Sequence, residues 1–384
     1  MDFKLSEEQE LIQKAAREFA VRRLQPIADK IDRENLIPDE VLKELGELGM
    51  FGIPFLDEHS SGSAGYLTYI LALEQLCRTS LGVGMIISVN TVGLAVISIF
   101  GTGEQKRRHL RECAEGKKIF SFAFTEPGTG SDPKQLTTTA AREGDEYILN
   151  GTKRFISNSG YSGPMVLIAR ESGTGNVTAF LVDKFCDGYS LSKPWEKIGA
   201  HGGPLYDVYL NNVRIPAANV VGRSGDGMLV LKTAMIYGKI GLAGMFLGTS
   251  RSAYEEAVSY AREKTHRGEP IASKFQHVQI AIAEMAMKYN AARWYACHLG
   301  WAADNRQDPT ELAKEAALTK VFVAETAIDI VRTAMGIHGS YGVMRDYKVS
   351  QLWNDAIIGP QVEGTAPLLK VLAANIIINS RSPV

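Results

Sequence analysis

The sequence predicts an α+β protein in three parts, ordered helical, β, helical. Three observations carry this prediction. Apolar residues recur at helical spacing up to about residue 116. From about residue 119, short alternating runs broken by turn residues replace them. After SGDGM, residues 224–228, helical spacing returns and holds almost to the end. The implied division is an N-terminal helical domain over 1–117, a middle antiparallel β domain over 118–225 and a C-terminal helix bundle over 226–384. A chain of 384 residues is long enough for two or three cores.

In the first part, Leu11, Ile12, Ala15, Ala16, Phe19 and Ala20 mark one helix face, and Ser6 with Gln9 has the spacing of a capping box. Residues 67–100 are apolar almost all round, so they belong in the centre of the protein or against a ligand. A membrane span is the rival reading; Glu74, Arg78 and Asn90 interrupt it. The β part offers the runs IFSFAF, TTTAARE, EYILNGTKRFIS, PMVLIARE, VTAFLVD, YSLSKP and YDVYLNNVRIP, with alternation at Tyr206, Val208 and Leu210. No helical run separates them, and neither GxGxxG nor GxxxxGK[ST] occurs, which argues against a βαβ nucleotide fold. The last part predicts long helices near 228–263, 274–303 and 310–336.

With 42 basic and 43 acidic residues well interspersed, the composition argues against a nucleic-acid surface and against a polybasic membrane anchor. Cys77, Cys113, Cys186 and Cys297 lie far apart without a CxxC pair, so no disulfide framework or cysteine zinc site is indicated. A charged amphipathic start without a signal-peptide core leads to the expectation of a cytoplasmic protein. The absence of GxSxG and HExxH argues against a serine or metal hydrolase.

The segment FAFTEPGTGSDPKQ, residues 122–135, is the strongest local signal. Gly128 and Gly130 permit sharp turns that present N–H groups, and Thr125, Thr129 and Ser131 add hydroxyls, a combination suited to a polar ligand edge or a phosphate. Taken alone, an ordinary loop explains it equally well. Followed in order by KRFISNSG, KTHRGEPIASKFQ at 264–276, GIHGSYGVMRD and VEGT, it resembles the acyl-CoA dehydrogenase family over essentially the whole chain. That resemblance implies the family's three-domain α+β fold and FAD held without a Rossmann fold. It also implies a homotetramer whose FAD touches a neighbouring subunit, and electron transfer to an electron-transfer flavoprotein.

Carried over by position, the resemblance puts flavin contacts on Phe122, Phe124, Thr125, Gly130 and Ser131, with Ser131 also beside the substrate thioester. Phe155, Ile156 and Ser157 fall where the family has a Trp-Ile-Thr wall against the flavin. Lys264, Arg267, Phe275, Gln276, Gly336, Gly339 and Thr365 complete the cofactor set, and Lys239 and Gly364 the substrate set. Glu363, before Gly364 and Thr365, takes the place of the base that removes the α-proton of an acyl-CoA while the β-hydrogen leaves as hydride to flavin N5. Such a base requires a dry site that raises its pKa toward neutrality; Val362, Ala366, Pro367 and Leu368 are the expected apolar neighbours.

Departures concentrate on the subunit-bridging part of the site. Lys264 replaces a usual arginine, Gly336 a glutamine, Ser340 a glycine, Pro367 a Gln or Glu and Lys239 an arginine; Phe124 and Gln135 are also unusual. Lys264 keeps the charge but loses the planar fork, and Arg267 is a candidate replacement. Phe246, Tyr254 and Tyr237 could narrow an acyl pocket, though each reads more readily as core or packing. Four alternatives stay open on the same scaffold: a carrier-protein-bound acyl group, oxygen as acceptor, the enoyl-thioester reductase direction, and a non-catalytic flavin-binding module.

Overall fold

The computed structural model describes residues 4–55, 64–305 and 308–380. The helical first part comprises α1 (Glu7–Phe19), α2 (Ala28–Glu34), α3 (Asp39–Glu47), α4 (Gly65–Cys77), α5 (Leu81–Phe100) and α6 (Gly103–Ala114). Ser6 and Gln9 form the expected capping box, and Thr102 with Gln105 forms a second one at α6.

Residues 67–100 divide into α4 and α5, because Arg78 ends one helix and Ser80 accepts from the Val83 N–H to start the next. By length and composition α5 and α7 (Gly227–Glu263) could each cross a membrane, yet 78% and 67% of those windows are buried inside the fold. The three polar interruptions are buried connections. Glu74 accepts from Tyr289, Arg251 and Arg293, Arg78 donates to Gln75 and Glu255, and Asn90 binds the Cys113 carbonyl and the Phe120 N–H.

The middle part is one sheet made of β1 (Ser121–Ala123), β2 (Thr139–Glu143), β3 (Glu146–Ser157), β4 (Pro164–Glu171), β5 (Val177–Asp183), β6 (Tyr189–Leu191), β7 (Leu205–Pro216) and β8 (Val220–Val221). Its order is β6-β7-β3-β2-β4-β5-β8, with β1 beside β4. The sheet is not purely antiparallel as expected: β1 and β2 both run parallel to β4. The β2–β3 hairpin lies between them in the chain and gives it the length to return in the same direction. β4 is buried on both faces, whereas β7 alternates as its sequence suggests, with bulges where it pairs with β3.

The last part continues from α7 through a small hairpin, β9 (Thr265–His266) and β10 (Glu269–Pro270), to α8 (Ile271–Lys274), α9 (Gln276–Asp304), α10 (Pro309–His338), α11 (Lys348–Ile358) and α12 (Ala366–Asn379). One core joins α1, α3, α4 and α5 to α7, α9, α10 and α11; a second lies between α5, α6, the start of α7 and one sheet face. A polar joint fastens the first part to the sheet. Asn158 Nδ2 donates to the Ile86 and Phe120 carbonyls, while Lys184 Nζ donates to the Ile119 and Asn158 carbonyls and to Ser121 Oγ. This joint sets β1 and the end of β3, the two segments with flavin expectations, side by side.

Candidate active site

The loop after β1 is held from inside. Glu126 and Thr129 exchange backbone hydrogen bonds of 2.8 and 3.1 Å, closing a tight turn around Pro127 and Gly128. The Glu126 side chain points inward, where Oε1 meets Lys153 Nζ at 2.8 Å and the Thr138 N–H at 2.9 Å, and Oε2 accepts from the Thr137 N–H and hydroxyl. Lys153 Nζ also donates to the Phe124 carbonyl at 3.0 Å. Burial alone would raise the Glu126 pKa, but Lys153 and the threonine donors outweigh it and hold the carboxyl at about 2. Lys153 is pushed down to about 8 by burial, with Glu126 opposing. Neither Glu126 nor Lys153 stood out in the sequence; a glutamate in a polar loop and a lysine in a strand read as solvent-facing.

The outer side of the loop stays open. Around Gly128 and Gly130 nothing approaches within 4 Å of where a Cβ would stand, and Ser131 is exposed. Thr129 is not one of the free hydroxyls, since its Oγ1 donates to the Gln135 carbonyl at 2.6 Å. Thr125 and Ser131 remain. The Thr125 carbonyl takes the Arg154 N–H at 2.7 Å, which brings Phe155 next to the loop. Phe155 adopts φ 59 and lifts a 49%-exposed ring out of β3, edge-on to Trp195 at 5.2 Å. Arg154 binds Asp207 at 2.9 Å and lies over the Trp195 ring, whose Nε1 also reaches Asp207. Sequence reasoning missed Trp195, which is 40 residues downstream of Phe155 and adjoins it only through the fold.

Not every expected contact presents its side chain here. Phe122 and Phe124 pack into the layer between α5 and the sheet, and Ile156 into the sheet's core, so only their backbones are available to a ligand on this face. Ser157 is half-buried. The open glycines, the free hydroxyls and the raised Phe155–Trp195 surface fit the edge and face of a planar, polar-rimmed ring such as a flavin.

A second group gathers at the β9–β10 hairpin. Lys264 lies over the Tyr341 ring, Lys274 donates to the His266 carbonyl and His266 packs on Phe275. Arg267 is exposed at φ 53 and Gln276 is exposed at the start of α9. Gly336 and Gly339 are also exposed, with nothing near their would-be Cβ positions. No hydrogen bond, ion pair or ring contact among the described residues joins this group to the 125–131 loop.

The third group surrounds Glu363. Between α11 and α12 the chain makes a left-handed turn, with Glu363 at φ 53 and Gly364 at φ 92. Although the residue as a whole is half-buried, Oε2 is sealed from solvent and has no hydrogen-bond partner among the described residues. The carboxylate lies against Gly238 of α7, where a Cβ would stand 2.6 Å from Oε2. Beside it are two buried lysines: Lys239, whose Nζ donates to the Met235 carbonyl at 2.7 Å, and Lys320 of α10, whose Nζ donates to the Gly364 carbonyl at 2.9 Å. Burial pushes the Glu363 carboxyl up, and Lys239 and then Lys320 pull it back. Burial brings each lysine down to about 8.

Of the four expected neighbours, Ala366 is buried and Val362 is half-buried against the main core. Leu368 and Pro367 are exposed, and the carboxylate's surroundings are supplied by α7 and α10. Thr365 is half-buried ahead of α12. Tyr237 packs tilted against Tyr66 with ring centres 5.1 Å apart, Phe246 is wholly core and Tyr254 packs against the core.

Three family models match nearly the whole chain: the acyl-CoA dehydrogenase N-terminal domain over residues 6–117, the middle domain over 121–213 and the C-terminal domain over 225–376. The chain is 37% identical to a 3-(aryl)acrylate reductase of Clostridium sporogenes, over 97% of this chain and 99% of that one. It is 31% identical to a subunit of a caffeyl-CoA reductase–Etf complex of Acetobacterium woodii, again over 97% and 99%. Its fold is similar to that of butyryl-CoA dehydrogenase from Megasphaera elsdenii, with a TM-score of 0.94 and 29% identity over 99% of this chain and 100% of that one.

Proposed function

The chain belongs to the acyl-CoA dehydrogenase family of FAD-binding oxidoreductases, and from that premise we propose that it removes the α- and β-hydrogens of an acyl-CoA with Glu363 as the base. The observation that supports this most is the Glu363 carboxylate itself. A carboxylate with one oxygen sealed from solvent and unpartnered, on a left-handed turn, is costly to keep, and such features collect where chemistry uses them.

An α-proton beside a thioester is weakly acidic, so its acceptor must be an ionised carboxylate with raised basicity. Burial supplies the basicity, and Lys239 and Lys320 keep the charge tolerable. The Glu363 N–H, carried on the same turn, is available to a thioester oxygen as enolate charge develops. FAD, when bound, supplies the two-electron acceptor for the β-hydrogen. For this group the chain offers Thr125, Gly130 and Ser131 at a flavin edge and Phe155 with Trp195 as an apolar face. Lys264, Arg267, Phe275, Gln276, Gly336 and Gly339 form a separate patch that a neighbouring subunit would bring to the same cofactor.

A second copy has a surface to use. α9 presents Ile280, Met287, Trp294 and Trp301 at seven-residue spacing on its exposed side, the pattern of a helix seam and one that supports a homotetramer. Sedimentation of the FAD-loaded protein should give four chains; a monomer would refute this. An electron-transfer flavoprotein is the proposed electron partner, on the strength of the Etf-complex relative.

The reductive direction is the second reading, favoured by two relatives named as reductases. The same carboxylate then delivers the α-proton. Replacing Glu363 by Gln should leave FAD bound and slow anaerobic flavin bleaching by saturated acyl-CoAs by about 10²–10⁴-fold. Undiminished bleaching in that variant would sink the assignment. Wild-type flavin that no saturated acyl-CoA bleaches, but whose reduced form an enoyl-CoA reoxidises, would select the reductive direction.

A further inference from the structure

Lys320 was given no part in the chemistry by its sequence context, a helix segment reading ALTKVFVAE. In the fold it is 1% exposed, in the middle of α10, and its ammonium reaches out of the helix to the Gly364 carbonyl at 2.9 Å. A lysine buried this deeply normally sits on a carboxylate. This one instead grips the backbone of the residue after Glu363, in a turn where Glu363 itself holds a left-handed φ of 53. We propose that Lys320 is a positioning residue for Glu363: it pins the turn through Gly364, aims the carboxylate and gives it a buried counter-charge.

The charges facing this turn come from three elements. α7 contributes Lys239, α10 contributes Lys320 and the turn contributes Glu363; Glu325 of α10 acts on Lys320 and is itself paired with Lys370 of α12 at 2.6 Å. Lys239 is fixed to its own helix through the Met235 carbonyl, so it supplies charge without holding the turn. Lys320 does both. The arrangement also accounts for the strained backbone, because a hydrogen bond to a buried cation over-determines a conformation that glutamate seldom adopts alone.

This inference rests on the reading of Glu363 as the base, and the tests separate the two. In FAD-loaded Lys320→Met, anaerobic bleaching by butyryl-CoA should slow by about 10²-fold, the scale of a 1 Å misplacement, at an unchanged half-saturating concentration. Its acid limb should move to higher pH. Infrared difference spectra against Glu363→Gln should show the Glu363 carboxyl protonating at higher pH in the lysine variant. Wild-type rate and titration in Lys320→Met would overturn the proposal.

A reciprocal measurement needs no lysine variant. Lysine side-chain nitrogen spectra of the wild type and Glu363→Gln should show Lys320 losing its proton at lower pH once the carboxylate is gone; an unchanged Lys320 signal would overturn the proposal. Rapid bleaching in Glu363→Gln would break the base reading alone and leave that spectral coupling standing.

Discussion

Two glutamates, Glu126 buried and Glu363 half-buried, each beside buried lysine, divide the labour of this molecule. Glu126 and Lys153 meet at 2.8 Å, and every oxygen of Glu126 has donors. Glu363 has Lys239 and Lys320 for neighbours, yet each ammonium is hydrogen-bonded to a backbone carbonyl, and Oε2 has no partner among the described residues. The first arrangement satisfies its charges and fixes a loop. The second keeps one charge unsatisfied beside the place where a proton must move. Hydrogen-bond satisfaction, more than burial or the mere presence of opposite charges, distinguishes a carboxylate that builds from one that reacts.

The comparison breaks most visibly in stability. Glu126→Gln strands Lys153, and removing one partner of a buried pair costs about 3–5 kcal/mol; urea denaturation should read this loss together with weaker FAD retention. An unchanged midpoint would mean that the pair does not hold the loop. Acid sharpens the contrast next. The folded pKa of Glu126, about 2, lies below the unfolded value of about 4.3. Its stabilisation is therefore complete above the unfolded value and is lost as pH falls toward the folded one. Glu363 is displaced the other way, so flavin bleaching should fall on the acid side while far-UV circular dichroism stays native. Simultaneous loss of both would erase the distinction. The smallest effect belongs to Glu363→Gln under denaturation: the variant neutralises an unsatisfied carboxylate, so its stability should equal or slightly exceed that of the wild type. A large loss would make Glu363 a structural residue.

Much of the scaffold was legible because it obeys short periods. Ile12, Ala15, Ala16, Phe19 and Ala20 mark their helix face, from which Leu11 departs at 67% exposure; Ser6 and Gln9 mark their cap, and Val208 and Leu210 their sheet face, each through neighbours a few residues away. Pairings that depend on distant partners were not. The parallel alignment of β1 with β4 joins Ser121 to Met165, and no local pattern encodes that. For the site, Glu363 was found through whole-chain resemblance; taken alone, a glutamate before Gly364 and Thr365 reads as a solvated loop residue. Lys153, Lys320 and Trp195 escaped because lysine in a strand or helix reads as solvated, and because an aromatic pair brought together by folding has no sequence spacing.

The joint made by Asn90, Asn158 and Lys184 bears on how this protein can be divided. Its donors in the sheet end on carbonyls at Ile86 and Ile119, and the Phe120 N–H ends on Asn90. Cutting out residues 118–225 as an independent module would therefore leave Asn158 short of an acceptor and the Phe120 amide without one, in surfaces that the helices had kept dry. The boundary that the sequence marks near residue 118 is, in this chain, a place where buried hydrogen bonds cross from helix to sheet. A shuffled or truncated relative would have to replace α5 before it could keep the sheet.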